Sequence, residues 1–225
     1  AEARRRALEG APEGVVVVAE EQTAGRGRLG KTFYSPAGAG VYLSVVLRPR
    51  LQADAAQYLT CAAAVACAQA IEAVTGEEAL IKWVNDIFCR GRKVAGILTE
   101  GVVDMESGRF EHAVLGMGVN VRVPASGFPS EIADVAGAVC DDAVGALRSR
   151  LAAEMLVRFW NLYESLPHRL VLRRVPPPVL PAGPAHRRGT QRLARARPRR
   201  RPDRGLQAGG GAARRAAPDH AGQPG

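Results

Sequence analysis

Apolar and polar positions follow two different periods along the first 168 residues. Residues 15–19, VVVVA, are a β-branched run that predicts a short buried strand. Residues 41–47, 79–83, 87–89, 93–103 and 112–119 read as further strands. Turns fall at Arg90-Gly91-Arg92 and around Glu106-Ser107-Gly108. Two segments switch to the helical period. Residues 54–74 are Ala-rich, can be N-capped by Asp54, and stop at Thr75-Gly76. Residues 141–165 carry Val144, Leu147, Leu151, Met155 and Phe159 on one helical stripe. Residues 1–9 read as the end of a helix that starts upstream, and residues 22–40 as a Gly-rich loop. Neighbouring strands joined by tight turns, with long helices to cover them, predict an α+β fold with a mixed, mainly antiparallel sheet.

The pattern stops at His168. Residues 169–225 contain no Phe, Tyr, Trp or Ile, and Pro176-Pro177-Pro178 and Gly209-Gly210-Gly211 interrupt any period. Such a segment cannot bury enough apolar surface to offset its chain entropy, so disorder is expected. Two domains follow: 1–168, and a tail from 169 to 225. Charge sharpens the division. The chain has 31 Lys+Arg against 22 Asp+Glu, a net +9. The tail holds 14 arginines and two acids, leaving 17 basic and 20 acidic residues in the part that folds. A basic arm for nucleic acid is one reading of the tail, though no aromatics interleave for base stacking. Arg, Ala, Pro and Gly also come from codons rich in G and C, so a frameshifted GC-rich gene is another reading, and a folded domain a third.

No apolar run approaches the roughly 20 residues of a membrane span, and residues 1–8 lack the apolar centre of a secretory signal. Cys61, Cys67, Cys89 and Cys140 have no C-x-x-C spacing, so they read as small buried hydrophobes in a reducing cytoplasm, not as a metal site. His112, His168, His186 and His220 are scattered and receive no role.

Gly25 to Thr32 (GRGRLGKT) satisfies both G-x-x-x-x-G-K-[ST] and G-x-G-x-x-G. Both motifs need a helix opening straight after the glycines. Phe33-Tyr34-Ser35-Pro36 cannot supply one. What survives is a loop whose backbone N–H groups can approach an anion, with Arg26, Arg28 and Lys31 adding positive charge. Lys82-Trp83-Val84-Asn85-Asp86 closes a strand. Gly96, and the pair Gly116 and Gly118, sit inside apolar strands, where glycine implies close approach of a ligand or another backbone. The chain has only three lysines, Lys31, Lys82 and Lys93, and all fall in these segments, as if the sites need a compact ammonium.

In order, Gln22–Gly30 (QTAGRGRLG), Phe33-Tyr34-Ser35-Pro36, Tyr42-Leu43-Ser44, Lys82-Trp83-Val84-Asn85-Asp86, Lys93–Glu100 (KVAGILTE) and Gly116-Met117-Gly118-Val119-Asn120 resemble biotin protein ligase. An Ile132-Ala133-Asp134-Val135-Ala136-Gly137 stretch fits the same family. The resemblance implies a catalytic domain like that of class II aminoacyl-tRNA synthetases. It also implies a two-step reaction: biotin and Mg-ATP give biotinyl-5′-AMP, then a lysine of a biotin carboxyl carrier protein attacks the mixed anhydride. Arg28 and Lys93 would be catalytic. Gln22, Arg26, Gly27, Arg28 and Lys93 would bind biotin, and Phe33, Lys82, Asn85, Asp86 and Asn120 the nucleotide and its Mg²⁺ region. No protein metal site, no membrane and no specific DNA binding are expected; a homodimer is compatible.

Departures from the family concern its ends: a Ser-Thr-Asn segment before Ala1, an N-terminal DNA-binding domain, and a C-terminal β-barrel in whose place the tail stands. Phe33, Val84 and Lys31 replace the Trp, Pro and Arg of many members. Three other readings stay open. A phosphate-loop protein would need Asp104 as its acidic magnesium partner. A nucleic-acid binder would work through the tail. An inactive ligase fragment would keep the motifs alone.

Overall fold

A computed structural model describes residues 1–140 and 146–166, together with the backbone of Ala194–Arg195. The chain starts with α1 (Glu2–Leu8) and β1 (Val16–Ala19). It continues through β2 (Gly40–Leu47), α2 (Ala56–Thr75), β3 (Leu80–Lys82), β4 (Asp86–Cys89), β5 (Arg92–Val103) and β6 (Phe110–Asn120) to α3 (Leu147–Tyr163). The strands form one sheet in the order β1-β2-β6-β5-β4-β3, every pair antiparallel. Ala194–Arg195 add a short strand, β7, beside β3. The α+β class expected from the pattern is therefore the one observed. The rest of the tail, and the first turn expected at residues 141–145, lie outside the described residues.

Alternation along the long strands decides what covers each face. On β6, Ala113, Leu115, Met117 and Val119 enter the main core, and on β2 Val41, Leu43, Val45 and Leu47 do the same. Helix α2 lies on that face. It is rich in alanine, and Ala62, Ala63, Ala66, Ala68 and Ala70 are fully buried, so α3 can pack closely behind it. The stripe on α3 works as expected: Leu151, Met155 and Phe159 are buried in this core. Helix α1 covers one end of the opposite face, where Ala3 and Ala7 meet Val46 and Val114. Arg48 fixes that end by donating to the Ala7 and Ala11 carbonyls. The remainder of the face is left for a site.

Three expectations need correction. Helix α2 starts at Ala56, after a 3₁₀ turn at Ala53–Ala55, and its cap residue Ala55 makes no side-chain hydrogen bond. The left-handed Gly76 ends it as expected, at φ 75°. Helix α2 also has the length and hydropathy of a membrane span, 20 residues at mean hydropathy 1.4, contrary to the reading that no run is long enough. The sheet and α3 cover most of its apolar surface. Finally, residues 22–40 are a ragged hairpin and not an open loop: bridges join Gln22 to Ser35 and Arg26 to Thr32, with a 3₁₀ turn at Arg28–Gly30.

Cys61, Cys67 and Cys89 are buried free thiols, and burial pushes Cys61 up to about 11 and Cys89 up to about 12. Burial keeps these three protonated at neutral pH, and they act as small apolar fillers.

The α2–α3 seam yields a stability prediction. Phe159→Ala removes a fully buried ring and should cost about 3–5 kcal/mol in urea unfolding. Val157→Ala, on the exposed side of the same helix, should stay within about 0.5 kcal/mol. Equal effects would mean that α3 does not pack through this stripe.

Candidate functional site

The uncovered part of the sheet has a floor of small residues. In register, Gly96 lies opposite Gly118, and Gly116 sits between Leu98 and Ser44. The Phe33 ring rests on this floor. A Cβ added at Gly118 would come within 2.7 Å of that ring, and one at Gly96 within 3.2 Å. The close approach that these glycines implied in the sequence is thus the approach of Phe33. Tyr42 supports the ring edge-on, with centroids 6.5 Å apart.

The 22–35 hairpin forms one wall. Gln22 N donates to the Ser35 carbonyl at 3.0 Å, and the Ser35 hydroxyl donates back to Gln22 Oε1 at 2.9 Å. Phe33 N donates to the Gly25 carbonyl at 3.0 Å. Only glycine fits at position 25, because a Cβ there would collide with the Phe33 carbonyl. At the tip, Leu29 adopts φ 57° while 93% exposed, local strain with no packing to offset it. The wall separates two cavities of about 500 and 490 Å³, and Arg26, Gly27, Arg28, Leu29 and Lys31 line both.

The larger cavity gathers most of the expected site. Gln22, Arg26, Gly27, Arg28, Phe33, Asn85, Asp86, Lys93 and Asn120 all line it. A continuous polar chain crosses its side. Arg28 Nη1 donates to Asn85 Oδ1 at 3.1 Å, Asn85 Nδ2 donates to Asp86 Oδ1 at 3.0 Å, and Lys93 Nζ stands 2.8 Å from the same oxygen. Arg26 pairs with Glu100 of β5 at 2.8 Å, tying the hairpin down across the sheet. Asn120 is buried, and its Nδ2 donates to the Gly137 carbonyl at 3.0 Å. Lys82 is placed elsewhere: it does not line the cavity, and its ammonium lies 5.7 Å from the centroid of Phe88.

Sequence reasoning gave no site role to the opposite wall, made by Phe128, Glu131, Ile132, Val135 and Ala136. The available signal was faint: apolar residues at 128, 132 and 135 on one helical side, within a stretch that Pro124, Gly127, Pro129 and Gly137 make look like a loop. Chemically, the arrangement offers a shaped apolar floor and two cations converging on one polar edge. It suits a ligand with an apolar body and an anionic junction.

Comparison with known proteins agrees with that geometry. A Bacillus subtilis (strain 168) bifunctional ligase/repressor BirA is 44% identical over 126 residues, covering 56% of this chain and 38% of that protein. A Mycobacterium tuberculosis biotin–[acetyl-CoA-carboxylase] ligase is 38% identical over 157 residues, covering 67% and 55%. The chain therefore spans between about two fifths and about half of these relatives. Among solved structures, the Aquifex aeolicus biotin protein ligase in complex with biotin and ATP matches with a TM-score of 0.60 and 25% identity, over 74% of this chain and 68% of that one. The Leishmania major enzyme in complex with biotinyl-5-AMP shares the fold at a TM-score of 0.59 and 22% identity, over 84% and 81%. Residues 3–120, from α1 to the last residue of β6, match the family described as biotin/lipoate A/B protein ligase, and the chain belongs to that family.

Proposed function

We propose that the chain activates biotin with ATP to give biotinyl-5′-AMP and pyrophosphate, then passes biotin to a lysine of a biotin carboxyl carrier protein. The carrying observation is the Arg28–Asn85–Asp86–Lys93 chain beside a glycine floor. Attack of a carboxylate on a phosphate brings two anions together. Lys93 and Arg28 are cations already aimed at one edge of the cavity, and a preorganised donor of this kind is worth roughly 3 kcal/mol in a transition state. Asp86 orients the Lys93 ammonium before any substrate anion arrives. Gln22, with its carboxamide oxygen held by Ser35, faces the polar end of biotin, helped by Arg26 and Gly27. Phe33, Asn85, Asp86 and Asn120 serve the nucleotide. Lys82 would join them only by leaving Phe88.

Magnesium accompanying ATP fits the donor set: it takes one or two carboxylates plus phosphate oxygens, and Asp86 with Asn85 offers one carboxylate and an amide oxygen. It would offset phosphate charge. In this reading the chain works in the cytoplasm and needs neither a membrane nor specific DNA.

The direct test is pyrophosphate release with biotin, ATP and Mg²⁺, followed by biotin transfer to a purified carrier domain. Arg28→Ala and Lys93→Ala should each slow adenylate formation about 100-fold or more. Arg28 is exposed and Lys93 half-buried, so the melting temperature should hold within about 3 °C. Wild-type rates in either variant would remove that residue from the site. Amide exchange across residues 25–31 should slow when biotin and ATP are added together, since the hairpin tip is exposed and strained without them. Unchanged exchange in a sample shown to bind both would rule out loop ordering.

A further inference from the structure

Arg92 lies next to Lys93 on β5, yet it does not line either cavity. Its side chain turns to the segment that forms the far wall. That segment is a short helical turn, in which Ile132 N donates to Pro129 O at 3.0 Å and Ala136 N donates to Ile132 O at 2.7 Å. Carbonyls at the C-terminal end of such a turn need outside donors, and a cation suits them best. Arg92 Nη1 serves two of them, Ala133 O at 2.7 Å and Ala136 O at 3.3 Å.

The backbone completes the clamp. Lys93 N donates to Val135 O, and Gly137 N donates to Lys93 O, both at 2.8 Å. Strand and turn run so close that a Cβ at Gly137 would stand 2.5 Å from the Arg92 Cβ. The turn is thus joined to the main chain of Lys93 itself. On its other side it presents Ile132 and Val135 to the cavity, and at its end Gly137 accepts from Asn120.

We propose that Arg92 is a positioning residue: its guanidinium holds the 129–136 turn as the cavity wall beside Lys93, and so sets the affinity for the nucleotide. The identity of that ligand rests on the ligase reading; the clamp itself does not. Both contacts come from one nitrogen, so a lysine can replace them, whereas an alanine cannot.

The test compares Arg92→Ala and Arg92→Lys with the wild-type chain. In Arg92→Ala, the amides of Ala136 and Gly137 should exchange at least several-fold faster, and the KM for ATP should rise about tenfold, the size expected for losing a charged donor to backbone carbonyls. The KM for biotin and the melting temperature should change little. Arg92→Lys should recover most of both effects. Unchanged exchange in Arg92→Ala overturns the proposal. So does an equal rise in both KM values with a fall in melting temperature, or a lysine variant no better than alanine. If the wild-type chain makes no adenylate, the ligase reading falls, while exchange at Ala136 and Gly137 still decides the clamp.

Discussion

The cavity exists because the middle of β5 and β6 puts bulk on one face and glycine on the other. Ile97, Leu115, Met117 and Val119 fill the core against α2, and Gly96, Gly116 and Gly118 face outward. One alternation performs two jobs. The apolar members anchor the sheet, each worth roughly 1.5–3 kcal/mol of burial, and the glycines cost some strand stability to keep the opposite face low. Phe33 can then lie on the sheet with its ring in contact with Gly118. Helix α1 stops at Val46 and Val114, so it covers the end of the face without glycines and leaves the floor open.

Charge on this floor is organised for placement more than for stability. The Arg26–Glu100 and Lys93–Asp86 pairs are partly exposed, with side chains between 25% and 48% accessible. Pairs of this kind contribute about 0–1 kcal/mol each, so they can break when a substrate anion competes. In the proposed reaction, that weakness would let the cations change partners. Two contacts bridge the hairpin and the sheet, Arg26 to Glu100 and Arg28 to Asn85, while the Lys93–Asp86 pair joins the neighbouring strands β5 and β4.

The fold was largely legible because its strands alternate and its helices carry stripes. Leu151, Met155 and Phe159 predicted the buried side of α3 correctly, and the glycines of β5 and β6 predicted a close approach. Other features depend on contacts between distant segments. Helix α2 was misjudged at its start, because local propensity favoured a cap at Asp54 while a 3₁₀ turn leads into Ala56. Its membrane-like hydropathy reflects double coverage by the sheet and α3, a tertiary fact. The 22–35 hairpin resembled a loop because it is joined by isolated bridges with no ladder, which leave no period-2 trace. The wall at residues 128–136 was hidden for a similar reason: its role comes from Arg92 and the Lys93 backbone, some forty residues earlier in the chain.

The three lysines show where compositional reasoning holds and where it stops. In a chain that uses arginine for most of its positive charge, a retained lysine suggests a need for a compact ammonium. Lys93 is the one whose ammonium lines the larger cavity beside a carboxylate, with Nζ 2.8 Å from Asp86 Oδ1 and its backbone engaged with Val135 and Gly137. Lys31 lines both cavities from the hairpin wall, where either cation would serve. Lys82 lies over the Phe88 ring, an arrangement in which arginine is the commoner partner. Rarity alone therefore cannot assign a role to Lys82. The geometry separates it from Lys93 even though the two are only eleven positions apart, because β3 and β5 flank β4 on opposite sides and only β5 borders the glycine floor.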